Sequence, residues 1–243
     1  MVVPAGTEPL DGLETISCRR FENRTWETVA DLIAPETTLS LHWPGREPTV
    51  LNAFPHRLED LALGHALLEF CGQDQVPVLD RIAEGAFFLS PQARTRGADR
   101  SGDALSAPRL AGSRVLALMK EFIEHPGRWD STGCFHKMAV LDPEQDTFLF
   151  RVEDIGRHNC VDRVAALLLD KGLDADRLAL FVSARATASL VGKIVKAGFR
   201  ILVSRSAVTM AGVDAARASG LSLAGFARKN RVTVFTDEMG RFQ

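Results

Sequence analysis

Ionisable side chains crowd between Glu153 and Arg163, in the run Glu153-Asp154-Ile155-Gly156-Arg157-His158-Asn159-Cys160-Val161-Asp162-Arg163. Upstream, Thr147 to Val152 alternates and is β-prone; downstream, Val161, Val164, Ala165, Leu168 and Leu169 recur at helical spacing. The charged run is therefore the connection from a strand to the first turn of a helix. Unpaired backbone N–H groups and the positive end of the helix dipole then lie beside Arg157 and His158, which is chemistry suited to an anion. For this segment alone, the plainer reading is that Asp154 caps the helix while Arg157 and Asp162 pair on a solvated face. Repetition changes the balance.

Two later strand ends carry the same residue types. The apolar run Leu178 to Val182 stops at Ser183-Ala184-Arg185-Ala186-Thr187 before a helical pattern through Leu190, Ile194 and Val195. Ile201 to Val203 likewise stops at Ser204-Arg205-Ser206, with Thr209 ahead of a helical stretch to Ser219. In an open α/β sheet the ligand crevice lies at the carboxyl ends of the strands, where helix N-termini attract anions. Arginine adds a planar fork for phosphate or carboxylate. The competing account is that Ser and Thr are ordinary N-caps. Two matching turns favour a phosphorylated or otherwise anionic ligand.

Two more segments could do chemistry. In Thr132-Gly133-Cys134-Phe135-His136 a thiol stands two residues from an imidazole, and an imidazolium would lower its pKa toward a nucleophilic thiolate. If the segment is extended the two share a face, and if helical they diverge; on local grounds Cys134 reads as a structural cysteine. Phe226-Ala227-Arg228-Lys229-Asn230-Arg231 joins two terminal strands and offers a ring to stack a nucleobase and cations to meet a diphosphate. Taken alone, it reads as a basic hairpin turn.

The elements that position these residues can be read along the chain of 243 residues, whose 46% hydrophobic content suffices for a core. Leu39 to Phe54 reads as a hairpin turning at Pro44-Gly45-Arg46-Glu47, a helix follows from Leu58 to Phe70, and Val76 to Leu89 suggests short strands. From Ser90 to Ser113 the chain lacks periodicity and reads as a mobile loop. Val115, Leu118, Met119 and Phe122 mark a helix ending at His125-Pro126-Gly127. Two regions are expected: 1–113, β-containing, and 114–243, α/β. A formal charge of −2 argues against a general nucleic-acid or membrane-surface binder. The absence of a long apolar run and of a leader pattern points to the cytoplasm. Four widely spaced cysteines, Cys18, Cys71, Cys134 and Cys160, fit neither a disulfide framework nor a zinc ribbon.

In order, Thr132-Gly133-Cys134-Phe135-His136, the run from Glu153 to Asp162, Ser183-Ala184-Arg185-Ala186 and Val203-Ser204-Arg205-Ser206-Ala207 resemble the FdhD family of formate dehydrogenase accessory proteins. Glu36-Thr37-Thr38-Leu39 and Leu58-Glu59-Asp60-Leu61-Ala62-Leu63-Gly64-His65 resemble that family's strand and helix motifs. The resemblance implies a cytidine deaminase-like C-terminal α/β domain with a smaller β-containing N-terminal region, and a homodimer. It also implies sulfur transfer from a cysteine desulfurase to the molybdenum bis(molybdopterin guanine dinucleotide) cofactor of formate dehydrogenase, with GDP as a mimic of the guanine end. Phe226 to Arg231 matches the family's cofactor-binding segment. His136, Arg157, His158, Ser183, Arg185, Ser204 and Arg205 complete the expected crevice.

One departure stands against these matches. Where the family has a Gly-Cys-Gly-x-Cys-Gly loop, this chain reads Gly97-Ala98-Asp99-Arg100-Ser101-Gly102. Neither Ala98 nor Ser101 can hold a persulfide. Either another thiol, with Cys134 the candidate catalytic residue, substitutes, or the protein binds the cofactor without transferring sulfur. A role confined to holding the apo-enzyme would instead leave an exposed apolar patch. A zinc nucleoside deaminase would need His-x-Glu or Cys-x-Glu and a later Pro-Cys-x-x-Cys, and the chain has neither.

Overall fold

The apolar run that ends at Val182 does not alternate because β9 (Ala179–Val182), a central strand of a sheet covered by helices on both faces, is buried on both sides. The computed structural model describes residues 12–94 and 109–243. β9 sits within a six-stranded sheet of order β12-β11-β10-β9-β7-β8. Its other members are β7 (His136–Asp142), β8 (Thr147–Asp154), β10 (Ile201–Ser204), β11 (Ser222–Arg228) and β12 (Arg231–Thr236). β9, β10 and β11 run parallel, while β7 opposes both β9 and β8, and β12 opposes β11.

The two faces of this sheet are covered differently. Met138 and Val140 of β7 pack with Val161, Val164 and Leu168 of α4 (Arg157–Asp170) and with Leu190 and Ile194 of α5 (Ala188–Lys196). α6 (Met210–Ala218) adds Ala216 to the same layer. The alternate residues Ala139 and Leu141 face Val115, Leu118 and Phe122 of α2 (Gly112–Glu124). These are the positions whose periodicity predicts that helix. α3 (Arg128–Thr132) is a single turn between α2 and β7.

The N-terminal region holds a four-stranded sheet of order β4-β3-β6-β5, from β3 (Thr37–His42), β4 (Thr49–Ala53), β5 (Gln75–Ala83) and β6 (Ala86–Ala93). The expected hairpin is β3 and β4, paired antiparallel from Thr37↔Ala53 to Leu41↔Thr49. α1 (Leu58–Glu69) packs Leu61, Ala62 and Ala66 against Leu39, Leu41, Phe87 and Leu89. Preceding them, β1 (Glu14–Glu22) and β2 (Thr25–Ile33) form a separate, mostly exposed two-stranded ribbon. The stretch expected to be a loop, Ser90 to Ser113, is shortened from both ends by β6 and α2, and Leu110 is tied to the C-terminus through the Arg241 and Gln243 backbones at 2.8 and 3.0 Å. Its middle, residues 95–108 with Ala98 and Ser101, lies outside the described residues. The mixed α/β class agrees with the sequence reading.

Candidate functional site at one edge of the large sheet

Strand direction gathers the expected site residues along one edge of the six-stranded sheet. β8 ends at Asp154 opposite His136, where antiparallel β7 begins. Ser204, which ends β10, pairs with Val182, which ends β9, and β11 ends nearby at Arg228. The strand-to-helix turns at 155–157, 183–187 and 205–209 therefore all open on this edge.

Beneath it lies a locked polar layer. Asp154 is wholly buried. Its Oδ1 accepts from Gly156 N and Asn159 Nδ2, each at 2.9 Å. Its Oδ2 accepts from Arg163 Nε at 2.9 Å and Nη2 at 2.7 Å. Arg163 then donates to the carbonyls of Phe54, His56 and Arg57, and Asn159 to that of Asn52. The expectation that Asp162 pairs with Arg157 on a solvated face is corrected. Asp162 is buried against α1 and α5, where its Oδ2 accepts from Lys193 Nζ at 2.7 Å and contacts His65 Nδ1 at 3.3 Å. Asp154 bonds the N–H of the N-cap residue Gly156, which has no side chain with which to cap the helix itself. Half of the charged motif thus welds the N-terminal region to α4.

Above this layer, on the α4 side, stand His136, Arg157, Arg185 and His158. Burial, then the charges of Arg157 and Arg185, push the His136 pKa below its ordinary value. Burial, then Arg157 and Lys193, do the same to His158, whose Nε2 lies 3.3 Å from Ser189 Oγ. Arg185 is exposed and Arg157 half-buried. A neutral imidazole at His136 supplies no positive charge to Cys134, and among the described residues no hydrogen bond joins the two side chains. Cys134 itself is exposed, just past the left-handed Gly133 that ends α3. Cys160 is buried, and burial pushes its thiol well above the usual range; burial also raises half-buried Cys71.

On the α2 side of the same edge runs a groove of about 1010 Å³. One wall is Leu116, Met119, Lys120, Ile123 and Glu124 of α2, and the other is Arg205 with Ala227, Arg228, Lys229, Asn230 and Arg231. β11 reaches this turn through an irregularity between Gly225 and Arg228, where Phe226 takes a positive φ of 51°. The Phe226 ring carries the guanidinium of Arg231 at 4.8 Å and that of Arg228 at 5.7 Å from its centre. Arg205 approaches the Trp129 ring at 5.8 Å. The structure thus divides the expected residues into two groups, one on each face of the sheet edge. Ser183, Ser204 and Ala227 sit lower. Ser183 Oγ accepts from Lys137 N at 2.9 Å, Ser204 Oγ donates to the Ala184 carbonyl at 2.8 Å, and Ala227 is fully buried.

Trp129 and Lys137 are additions the sequence reading did not reach, and Glu153, which opens the charged run, takes a role that reading did not assign. Glu153 accepts from Arg128 N at 2.9 Å and so caps α3 from a distant strand. At Gly127 a Cβ would fall 2.4 Å from Glu153 Oε1, so any side chain there would push the Glu153 carboxylate away from the α3 N-terminus. The Gly-Arg-Trp-Asp sequence ahead of Thr132 carries no local helix signal; the acidic partner comes from β8. Among the described residues no group of three His, Cys, Asp or Glu side chains could hold a metal ion. No helix there is long and apolar enough to cross a membrane.

The chain is similar to "Protein FdhD" of Methanocaldococcus jannaschii, 24% identical over 92% of this chain and 96% of that one. It is likewise similar to "Sulfur carrier protein FdhD" of Chromobacterium violaceum, 29% identical over 93% and 96%. A crystal structure from Desulfotalea psychrophila, described as a formate dehydrogenase accessory protein, superposes with a TM-score of 0.75 over 95% of this chain and 98% of that chain, at 20% identity, which speaks to fold. The model of the FdhD/NarQ family matches residues 88–242, well over half of the sequence, and so the chain belongs to that family.

Proposed function

We propose that this protein is a formate dehydrogenase accessory protein whose groove between α2 and the β11–β12 turn receives the guanine-dinucleotide end of the molybdenum bis(molybdopterin guanine dinucleotide) cofactor. The observation that carries this reading is the composition of the groove. Arg205, Arg228, Lys229 and Arg231 supply cations on one side, and on the other α2 offers Leu116, Met119 and Ile123 flanked by Lys120 and Glu124, so cations outnumber carboxylates five to one. Its volume lies at the upper end of the roughly 300–1,000 Å³ of ligand pockets, room for a nucleotide. The cations meet phosphates, and the half-buried Phe226 ring supports the guanidinium groups of Arg228 and Arg231 that would do so. His136, Arg157, His158 and Arg185 stand on the other face of the same sheet edge and would meet a further part of the cofactor.

In this reading the partners are a formate dehydrogenase and a cysteine desulfurase, and the protein works as a homodimer in the cytoplasm. The likeness of the six-stranded layer to the cytidine deaminase fold belongs to the same proposal. The sulfur step is the open part of it, because Ala98 and Ser101 carry no thiols. Of the remaining cysteines Cys160 is sealed in the core and Cys134 is exposed. Cys18 and Cys71 are partly exposed, and Cys134, the most accessible of the four and the one beside the sheet edge, is the thiol that a desulfurase would load. The second reading, cofactor binding without sulfur transfer, is favoured by the missing thiol pair itself.

Calorimetry with GDP at low salt tests the binding claim. Saturable binding that weakens as salt is added supports it, since phosphate contacts are screened. Folded protein that gives neither heat nor saturation rejects it. Mass spectrometry after incubation with a cysteine desulfurase and cysteine then separates carrier from binder by the gain of one sulfur atom.

A further inference from the structure

A second cavity opens at the outer edge of β8, enclosed by the chain before α1, the end of α2 and α4. Its volume is about 240 Å³, below the range of pockets that hold drug-sized ligands and equal to about eight water volumes. Five cations line it, Arg57, Arg128, Lys137, Arg151 and Arg163, against two carboxylates, Asp60 and Glu153. Most of this charge is answered from behind. Arg163 is held by Asp154 and Arg57 by Asp60 at 2.6 Å; Lys137 lies 3.2 Å from Asp130 and Arg151 Nη2 2.9 Å from Glu121.

One lining group is not answered. The Nε of Arg151 is buried without an acceptor among the described residues, a state that costs roughly 1–3 kcal/mol when nothing else fills it. His125, which also lines the cavity, is pushed toward its neutral form by burial and then by Arg151 and Lys137, with Glu153 and Glu121 opposing. A buried guanidinium donor without an acceptor among the described residues, in a cavity where cations outnumber carboxylates, is a geometry suited to an anion. Several fixed cations suit a multivalent anion better than a monovalent one.

We propose that this cavity is a binding site for a small multivalent oxyanion of the phosphate class, bound by Arg151 with Arg57 and His125 at its rim and separate from the nucleotide groove. The anion could arrive free or as the terminal phosphate of a larger ligand; the chemistry of the site is the same.

The test uses the full chain and inorganic phosphate, followed by calorimetry and by the imidazole resonances of His125. Phosphate should bind saturably and move the His125 titration to higher pH. Arg151→Gln and Arg57→Asn should each weaken it by roughly tenfold or more, the size of a lost charge-assisted bond. Arg57→Asn keeps the backbone safe, because Arg57 has a φ of 45° and asparagine tolerates that region. Arg228→Ala, in the groove, should leave phosphate affinity unchanged. If GDP displaces phosphate in the native chain, and GDP's own affinity falls in Arg151→Gln, the anion belongs to a larger ligand; if both bind together, it is a free ion. Absence of saturable binding overturns the proposal. So does a loss of affinity in Arg228→Ala with none in Arg151→Gln.

Discussion

Asp154 and Arg163 form a two-pronged ion pair from which solvent is excluded, with side chains 0% and 5% exposed. The guanidinium spends its remaining N–H groups on the carbonyls of Phe54, His56 and Arg57, more than 100 residues earlier in the chain. Such a pair contributes little by its mere presence, because desolvation offsets the attraction, but losing one partner strands the other. Arg163→Met should therefore lower unfolding stability by about 3–5 kcal/mol in chemical denaturation. Arg163→Lys should also destabilise, since an ammonium cannot fork across one carboxylate and three carbonyls. Stability within about 1 kcal/mol of the native chain in both variants would show that this pair does not join the two regions.

Gly64 of α1 meets the backbone of Asp162 so closely that a Cβ would lie 1.7 Å from the Asp162 carbonyl oxygen. In a free helix Gly→Ala gains about 1 kcal/mol. Here the clash is with backbone, which has no rotamer to yield, so the helices must separate and open the His65–Asp162–Lys193 cluster. Gly64→Ala should destabilise by at least about 3 kcal/mol, beyond the typical cost of overpacking. A raised melting temperature would contradict the observed helix approach.

These two contacts mark where the sequence stops being legible. The strand-to-helix turns at 153–157, 183–187 and 204–209 are visible because their signals are local: an apolar or alternating run, then hydroxyls and arginine, then helical spacing. The β3–β4 hairpin, α1 and α2 are visible for the same reason. The burial of Asn159, Asp162 and Arg163 is not, because their partners lie on α1, α5 and the chain before Arg57. α3 depends on Glu153 from β8, and the β1–β2 ribbon buries neither face, so alternation there has no apolar side to reveal it. At the site, Arg228 and Arg231 were legible as residue types. Their opposition to α2 across a groove required the fold.

Histidine burial gives the protein a direction of pH sensitivity. His125, His136 and His158 all have folded pKa values below the ordinary 6.5. Between the folded and unfolded values the unfolded chain binds more protons, so stability is complete above about pH 6.5 and falls as the pH drops through the folded values. The melting temperature should be lower at pH 5.5 than at pH 7.5, and His136→Gln should reduce that difference. A melting temperature that rises on acidification over this interval would mean that these imidazoles gain partners on folding.

In the groove, Arg231→Ala removes both a cation and the guanidinium that lies over Phe226. If charge-assisted bonds to a diphosphate form there, GDP affinity should fall by about 1–3 kcal/mol, or roughly five- to 150-fold. The melting temperature should hold, because Arg231 is exposed. Calorimetry at two salt concentrations separates the contribution: the variant should show a shallower salt dependence than the native chain. Equal affinity in both would return Phe226 to Arg231 to the role of a solvated hairpin turn.

The missing thiols predict a separation of binding from transfer. The motif resemblance implies cysteines where this chain has Ala98 and Ser101, and a methyl or a hydroxyl cannot accept a sulfur atom from a desulfurase persulfide. Cys134 is the one exposed cysteine among the described residues, but its neighbour His136 is held neutral and lends it no charge. The native chain should therefore bind GDP yet activate a sulfur-dependent formate dehydrogenase weakly or not at all, and any residual activity should vanish in Cys134→Ala. The double variant Ala98→Cys, Ser101→Cys should gain a sulfur atom in mass spectrometry and raise activation if the groove delivers the cofactor correctly. Full activation by the native chain that persists in Cys134→Ala would show that sulfur reaches the cofactor by a route involving neither position.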